Sequence, residues 1–122
     1  MKKLQIVEPM HGGHHTNYLL AMLPSIEKLL AMGALEQAVV SVTPRHMKLL
    51  SEESPEQIAL SPSIRWDVSL PVTPPGPSHG ERKILHHAIL GSVDRQRADG
   101  LICTSADYDV MQNALTNVFR SR

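Results

Sequence analysis

Hydrophobic and polar positions alternate along the chain with two different periods, and the switches between them mark the elements. Residues Lys3 to Glu8 carry Leu4, Ile6 and Val7 and stop at Pro9, which predicts a short strand ended by a residue without a ladder donor. After the loop Met10-His11-Gly12-Gly13-His14-His15, apolar residues recur at three- and four-residue spacing: Leu19, Met22, Leu23, Ile26, Leu29 and Leu30. That is one face of a helix, with Thr16 as its expected cap and Gly33 as its expected end. Pro24 lies inside this helix and removes one backbone hydrogen bond, at about 3 kcal/mol unless the helix bends, so a kink is expected there.

From Gln37 to Thr43 the run Ala38-Val39-Val40-Ser41-Val42 is β-branched and almost wholly apolar, as suits a strand covered on both faces. Thr43-Pro44 opens a short helix reaching about Glu52, with proline in the first turn. Ile64, Trp66, Val68 and Leu70 alternate with Arg65, Asp67 and Ser69, the pattern of an edge strand with one wetter face. Pro71 to Gly80 holds four prolines and two glycines and reads as a mobile loop. A helix from about Glu81 to Arg97 presents Ile84, Leu85, Ala88, Ile89 and Val93 on one face. A fourth strand, Leu101-Ile102-Cys103, and a final helix from Ala106 to Arg120 complete the chain.

Strands alternating with helices imply crossover connections and a parallel sheet. The expected fold is therefore α/β: an open Rossmann-like parallel sheet of about four strands in the order 3-2-1-4, with helices on both faces, forming one domain over residues 1–122.

Composition narrows the function. Twelve basic and twelve acidic side chains leave no net charge, and only four aromatic residues are available for stacking, so nucleic acid is not an expected partner. No apolar run is long enough to span a membrane, and the single Cys103 forms no internal disulfide; the chain reads as cytoplasmic.

In an open parallel sheet the binding crevice lies beyond the carboxyl ends of the strands, where the strand order reverses, here between the first and fourth. His11 to Thr16 and Thr104 to Asp107 meet there. Adjacent Gly12 and Gly13 leave backbone N–H groups uncovered beside a helix N-terminus, a place for a diphosphate or carboxylate. The loop has neither the GxGxxG fingerprint nor a P-loop lysine, so no NAD or ATP site, and no cofactor, is expected. His11, His14 and His15 are candidates for a general base or a donor to a sugar hydroxyl, or else are solvated loop residues bonded locally. Their spacing matches no closed zinc pattern, so no metal is expected. Thr104, Ser105 and Asp107 are candidates to line the crevice, the last two also to cap the final helix. Cys103, on a strand expected to be buried, reads as packing rather than as a nucleophile. His86 and His87 are adjacent on a helix and are expected to diverge on the surface.

The stretch from Leu4 through Pro9-Met-His-Gly-Gly-His-His-Thr to Leu20 resembles the start of the GT-B glycosyltransferases, in which the first strand runs into a glycine loop and a helix. Arg97-Ala-Asp-Gly-Leu-Ile-Cys-Thr-Ser is similar to the later strand of that family that follows an Ala-Asp pair. The resemblance implies that this is the acceptor-side domain, that Gly12 and Gly13 face donor phosphates, and that His14 is the base or an acceptor contact. It implies a nucleotide-sugar as ligand and a donor domain or second subunit as partner. Transfer by this chain alone is not expected, because no donor domain follows. The alternative is a stand-alone Rossmann-like module that binds a phosphate- or carboxylate-bearing metabolite without catalysis; a homodimer, in place of a missing donor domain, fits either reading.

Overall fold

A computed structural model describes residues 1–105 of the chain. Four strands, β1 (Lys3–Glu8), β2 (Gln37–Val42), β3 (Arg65–Asp67) and β4 (Gly100–Cys103), form one sheet in the order β3-β2-β1-β4, with every neighbouring pair parallel. This is the expected Rossmann-like arrangement. The helices are α1 (Gly13–Ala31), α2 (Pro44–Glu53), the short α3 (Pro55–Ala59), which the sequence pattern did not reveal, and α4 (His79–Gln96). The helix expected from Ala106 to Arg120 lies outside the described residues.

Strand alternation divides the core in two. Leu4, Ile6, Ala38, Val40 and Val42 pack with Leu19, Leu23 and Ile26 of α1 and Leu50 of α2. Val7, on the opposite face of β1, packs with Leu70 and with Leu85, Ile89 and Val93 of α4. Each fully buried leucine or isoleucine contributes roughly 1.5–3 kcal/mol. Together the two layers cover both faces of the sheet.

Local chemistry moved several boundaries. The first helix begins at Gly13, three residues before Thr16, because Gly12 takes φ 78° and ψ 167°, a region open essentially to glycine. Thr16 is therefore no cap; its Oγ1 accepts from the Gly12 N–H at 3.1 Å from within the first turn. The helix continues through Pro24 and ends as expected before Gly33, whose φ is 74°. Ser78 and Glu81 form a capping box, so α4 starts at His79 and includes Gly80, which the loop reading had claimed. Ile84, expected in the core, is 62% exposed, and Ser92 sits on the buried face instead. β3 is confined to Arg65–Asp67: alternation fails after Asp67, where Val68 is exposed and Leu70 crosses to the α4 layer. Its edge position is as expected. Among the described residues, no helix is long and apolar enough to cross a membrane.

Candidate functional site

Glu8 is the last residue of β1 and is fully buried on the α1 side of the sheet. An isolated carboxylate could not remain charged there, and three groups satisfy it. The Met10 N–H donates to Oε2 at 3.0 Å, Ser105 Oγ–H donates to the same oxygen at 2.6 Å, and His15 Nδ1–H donates to Oε1 at 3.1 Å. Ser105 arrives from the end of β4 and His15 from the first turn of α1, so the cluster closes the switch point between β1 and β4.

The donor assignment follows from the acceptor. An ionised carboxylate offers no proton, so the neutral His15 ring carries its hydrogen on Nδ1 and its lone pair on Nε2. The His15 side chain keeps 17% of its surface while that of Glu8 keeps none, so the pair is an imidazole oriented by a buried carboxylate with one ring edge left to solvent. Ser105 Oγ lies 3.2 Å from Nδ1, the same nitrogen that meets Glu8. Ser105 directs its hydroxyl proton to Glu8 at 2.6 Å, and so fixes the carboxylate rather than handing that proton to His15.

A second chain of contacts braces the loop. Thr16 Oγ1 lies 3.1 Å from Nε2 of His46, a fully buried residue of α2 whose own N–H donates to the Thr43 cap at 3.1 Å. Burial holds the His46 imidazole below its ordinary value, against the pull of Glu8. Gly12, its N–H engaged by Thr16, is thus tied through His46 to α2.

The remaining candidates separate. His14 is exposed, its ring stacked on His15 with centroids 4.0 Å apart and edge-on to Tyr18 at 5.7 Å. Among the described residues, no carboxylate is hydrogen-bonded to it. His11 turns toward Arg45, and burial and that guanidinium hold it below its ordinary value. Gly12 gives its N–H to Thr16 and so offers no donor to a ligand, whereas Gly13, at the first helical position, starts the run of amides without intrahelical acceptors. Thr104 closes the β1–β4 ladder, its N–H and Oγ1–H both directed to the Val7 carbonyl at 3.4 and 3.3 Å. Asp107 lies outside the described residues. The Cys103 thiol, packed against the α4 layer, is pushed up to about 11 by burial and by Glu8, in keeping with an inert packing residue. His86 and His87 do not diverge but meet edge to face, centroids 5.8 Å apart.

Sequence reasoning missed Glu8 and His46. Glu8 left one signal, a carboxylate closing an otherwise apolar strand at the switch point. His46 left none, being one polar residue in a polar helix turn. Among the described residues, no group of three or more His, Cys, Asp or Glu side chains is placed to hold a metal ion. No protein-family model, curated protein or solved structure matches the chain.

Proposed function

We propose that the chain is the acceptor-binding half of a GT-B-type glycosyltransferase, with His15 rather than His14 as its base. One observation supports this: the buried Glu8 carboxylate holds the partly exposed His15 by Nδ1 at the end of β1, an arrangement in which Nε2 would be the basic nitrogen. An acceptor hydroxyl at Nε2 would give up its proton there as its oxygen bonds to the anomeric carbon of the donor and the bond to the diphosphate breaks. A carboxylate partner favours the imidazolium so formed. The diphosphate would meet the Gly13 N–H and the amides that follow it at the start of α1.

Transfer also requires a body that holds the donor and excludes water opposite this crevice. An apolar groove of about 570 Å³ along α1 and β4, bordered by Tyr18, Met22, Leu29 and Ile102, supports such a body. Tyr18, on the rim of this groove, is 58% exposed, and exposed apolar surface of this kind suits a partner surface.

The test is an amide NMR titration with pyrophosphate, uridine and guanosine diphosphates and their sugar conjugates, with the ¹⁵N signals of the imidazoles followed in parallel. Shifts at Gly13, His14 and His15, larger for the sugar conjugates than for the bare diphosphates, are expected. A folded chain that responds to none of them at millimolar ligand would sink the reading. Equal responses to pyrophosphate and to the conjugates would favour the metabolite-binding module.

A further inference from the structure

His46 is a fully buried imidazole that the transfer chemistry does not use. It reaches the glycine loop through one hydroxyl: its Nε2 lies 3.1 Å from Thr16 Oγ1, and the same oxygen accepts the Gly12 N–H at 3.1 Å. Its own backbone N–H donates to the Thr43 side chain at 3.1 Å, which anchors it in the first turn of α2. Gly12 immediately precedes α1, so the relay runs from a buried titratable ring to the amides that would meet the diphosphate.

The protons available set the direction of the relay. Burial favours the neutral ring. The Met10 backbone favours the charged one, as only a carbonyl accepting a ring hydrogen does; with Nε2 facing Thr16, the hydrogen of the neutral ring is on Nδ1. Nε2 is then an acceptor for the Thr16 O–H, and a hydroxyl that donates in this way is the better acceptor for the Gly12 N–H. A proton added at Nε2 reverses the relay. Two hydrogens cannot share one contact, so the hydroxyl turns and its oxygen accepts from the imidazolium, which weakens it as an acceptor for Gly12. A positive charge arrives behind the loop in the same step. Glu8 from β1 favours that charge, whereas His11 of the loop and His15 of α1 oppose it. Arg45, next to His46 on α2, acts on His11 in the same sense.

We propose that His46 is a proton-operated latch on the glycine loop: the neutral ring keeps the Gly12 N–H engaged with Thr16, and the protonated ring loosens it, so that a proton and an oxyanion bind to the loop together. The anion half rests on the reading of the α1 amides as an oxyanion site; the latch itself operates without ligand. Linkage makes the coupling reciprocal, so acid tightens the anion and the anion raises the pH at which His46 takes up its proton.

The first arm of the test is a pH titration of the full chain without ligand, following the imidazole ¹⁵N signals and the Gly12 and Thr16 amides. Gly12 should move with the midpoint of the His46 ring rather than with that of His11, His14 or His15. Thr16→Ser should keep this coupling. Thr16→Val, which removes the hydroxyl at nearly constant volume, should leave His46 titrating while Gly12 no longer follows it. The second arm adds sulfate, an oxyanion whose charge is constant over this range. Its binding at Gly12 and Gly13 should tighten about five-fold from about pH 7 to about pH 5.5, and the gain should shrink by at least half in His46→Gln. Sulfate should also raise the His46 midpoint. The latch is overturned if Gly12 ignores pH, follows another histidine, or follows His46 as closely in Thr16→Val as in the wild type. The linkage to an anion is overturned if sulfate does not bind at the loop or leaves the His46 midpoint where it was. Both arms intact beside silence toward nucleotide-sugars would remove the transferase reading alone, and a Gly12 amide indifferent to His46 would remove the latch and leave the His15 base untouched.

Discussion

Two carboxylates are drawn into hydrogen-bonded clusters, one on each side of the sheet, and they serve opposite ends. On the α4 side, Ser41 and Ser92 donate to Asp67 Oδ2 at 2.9 and 2.6 Å, and Gln5 Nε2 donates to both serine hydroxyls at 3.0 Å. That network ties β1, β2 and β3 to α4. None of its other members titrates near neutrality, and its buried polar groups face one another. On the α1 side, Glu8 is equally well satisfied, but one partner is an imidazole with an exposed edge. A carboxylate whose hydrogen bonds come from hydroxyls locks elements together; one answered by a partly exposed histidine also sets where a proton is held. Burial of a charge is therefore no guide to function until its partners are named.

The sharpest way to break the contrast is Asp67→Ala. It would leave Ser41 and Ser92 facing each other and Gln5, whose Oε1 has no partner among the described residues, with no charged acceptor. A loss of about 3 kcal/mol is expected, read as a shift in the urea unfolding midpoint, while the His15 imidazole signals stay where they are. A loss below about 1 kcal/mol would mean that the network is held by packing rather than by its hydrogen bonds.

Glu8→Gln probes the other cluster at nearly constant volume. The amide keeps one acceptor for Nδ1–H or for the Ser105 hydroxyl but presents a donor to the other, so about 1–2 kcal/mol should be lost. The telling readout is the tautomer: with the carboxylate gone, the ¹⁵N shifts of His15 should move from a ring protonated at Nδ1 toward a mixture. An unchanged tautomer would show that Glu8 only fills space, and the base assignment would fall with it.

The difference between these regions also explains what was legible in the sequence. Strand order and both core layers follow from apolar periodicity, because Ile6, Val40 and Leu23 on one side and Val7, Leu85 and Ile89 on the other have no stable place except against one another. The histidine-glycine loop was visible as composition, but which of its rings meets Glu8 was not. That depends on α1 starting at Gly13 instead of after Thr16, a consequence of the Gly12 backbone conformation. Ser78 and Glu81 did carry the spacing of a capping box, and the proline-rich stretch beside them drew the boundary too late. Asp67 and Ser92 looked like the wet face of an edge strand and a helix surface. Their pairing across 25 residues has no local signature.

The smallest expected effect separates the two regions by pH alone. His46 braces the glycine loop and is held below its ordinary value of 6.5 by burial, with Glu8 acting against that shift and His11 and His15 adding to it. In the unfolded chain the same ring takes up a proton near that value, so the unfolded state binds more protons once pH falls below it. Stability from this residue is therefore complete above the ordinary histidine value, declines as pH falls through it, and levels off once the folded ring is protonated too. Asp67 behaves differently. Burial would raise it, but hydrogen bonds from Ser92, Ser41 and Ser69, helped by Arg95, hold it below its ordinary value of 3.8. Its contribution persists through the histidine window and is lost only as pH falls below that value toward the lowered folded one. Unfolding midpoints at about pH 7 and pH 5.5 should thus fall in the wild type, fall less in His46→Gln, and fall as in the wild type in Asp67→Ala, whose whole curve lies lower. Some slope should survive in His46→Gln, because His11 is lowered in the same sense by burial and Arg45. Equal slopes in the wild type and His46→Gln would place the His46 imidazole in water, and the brace from α2 to the glycine loop would have to be abandoned.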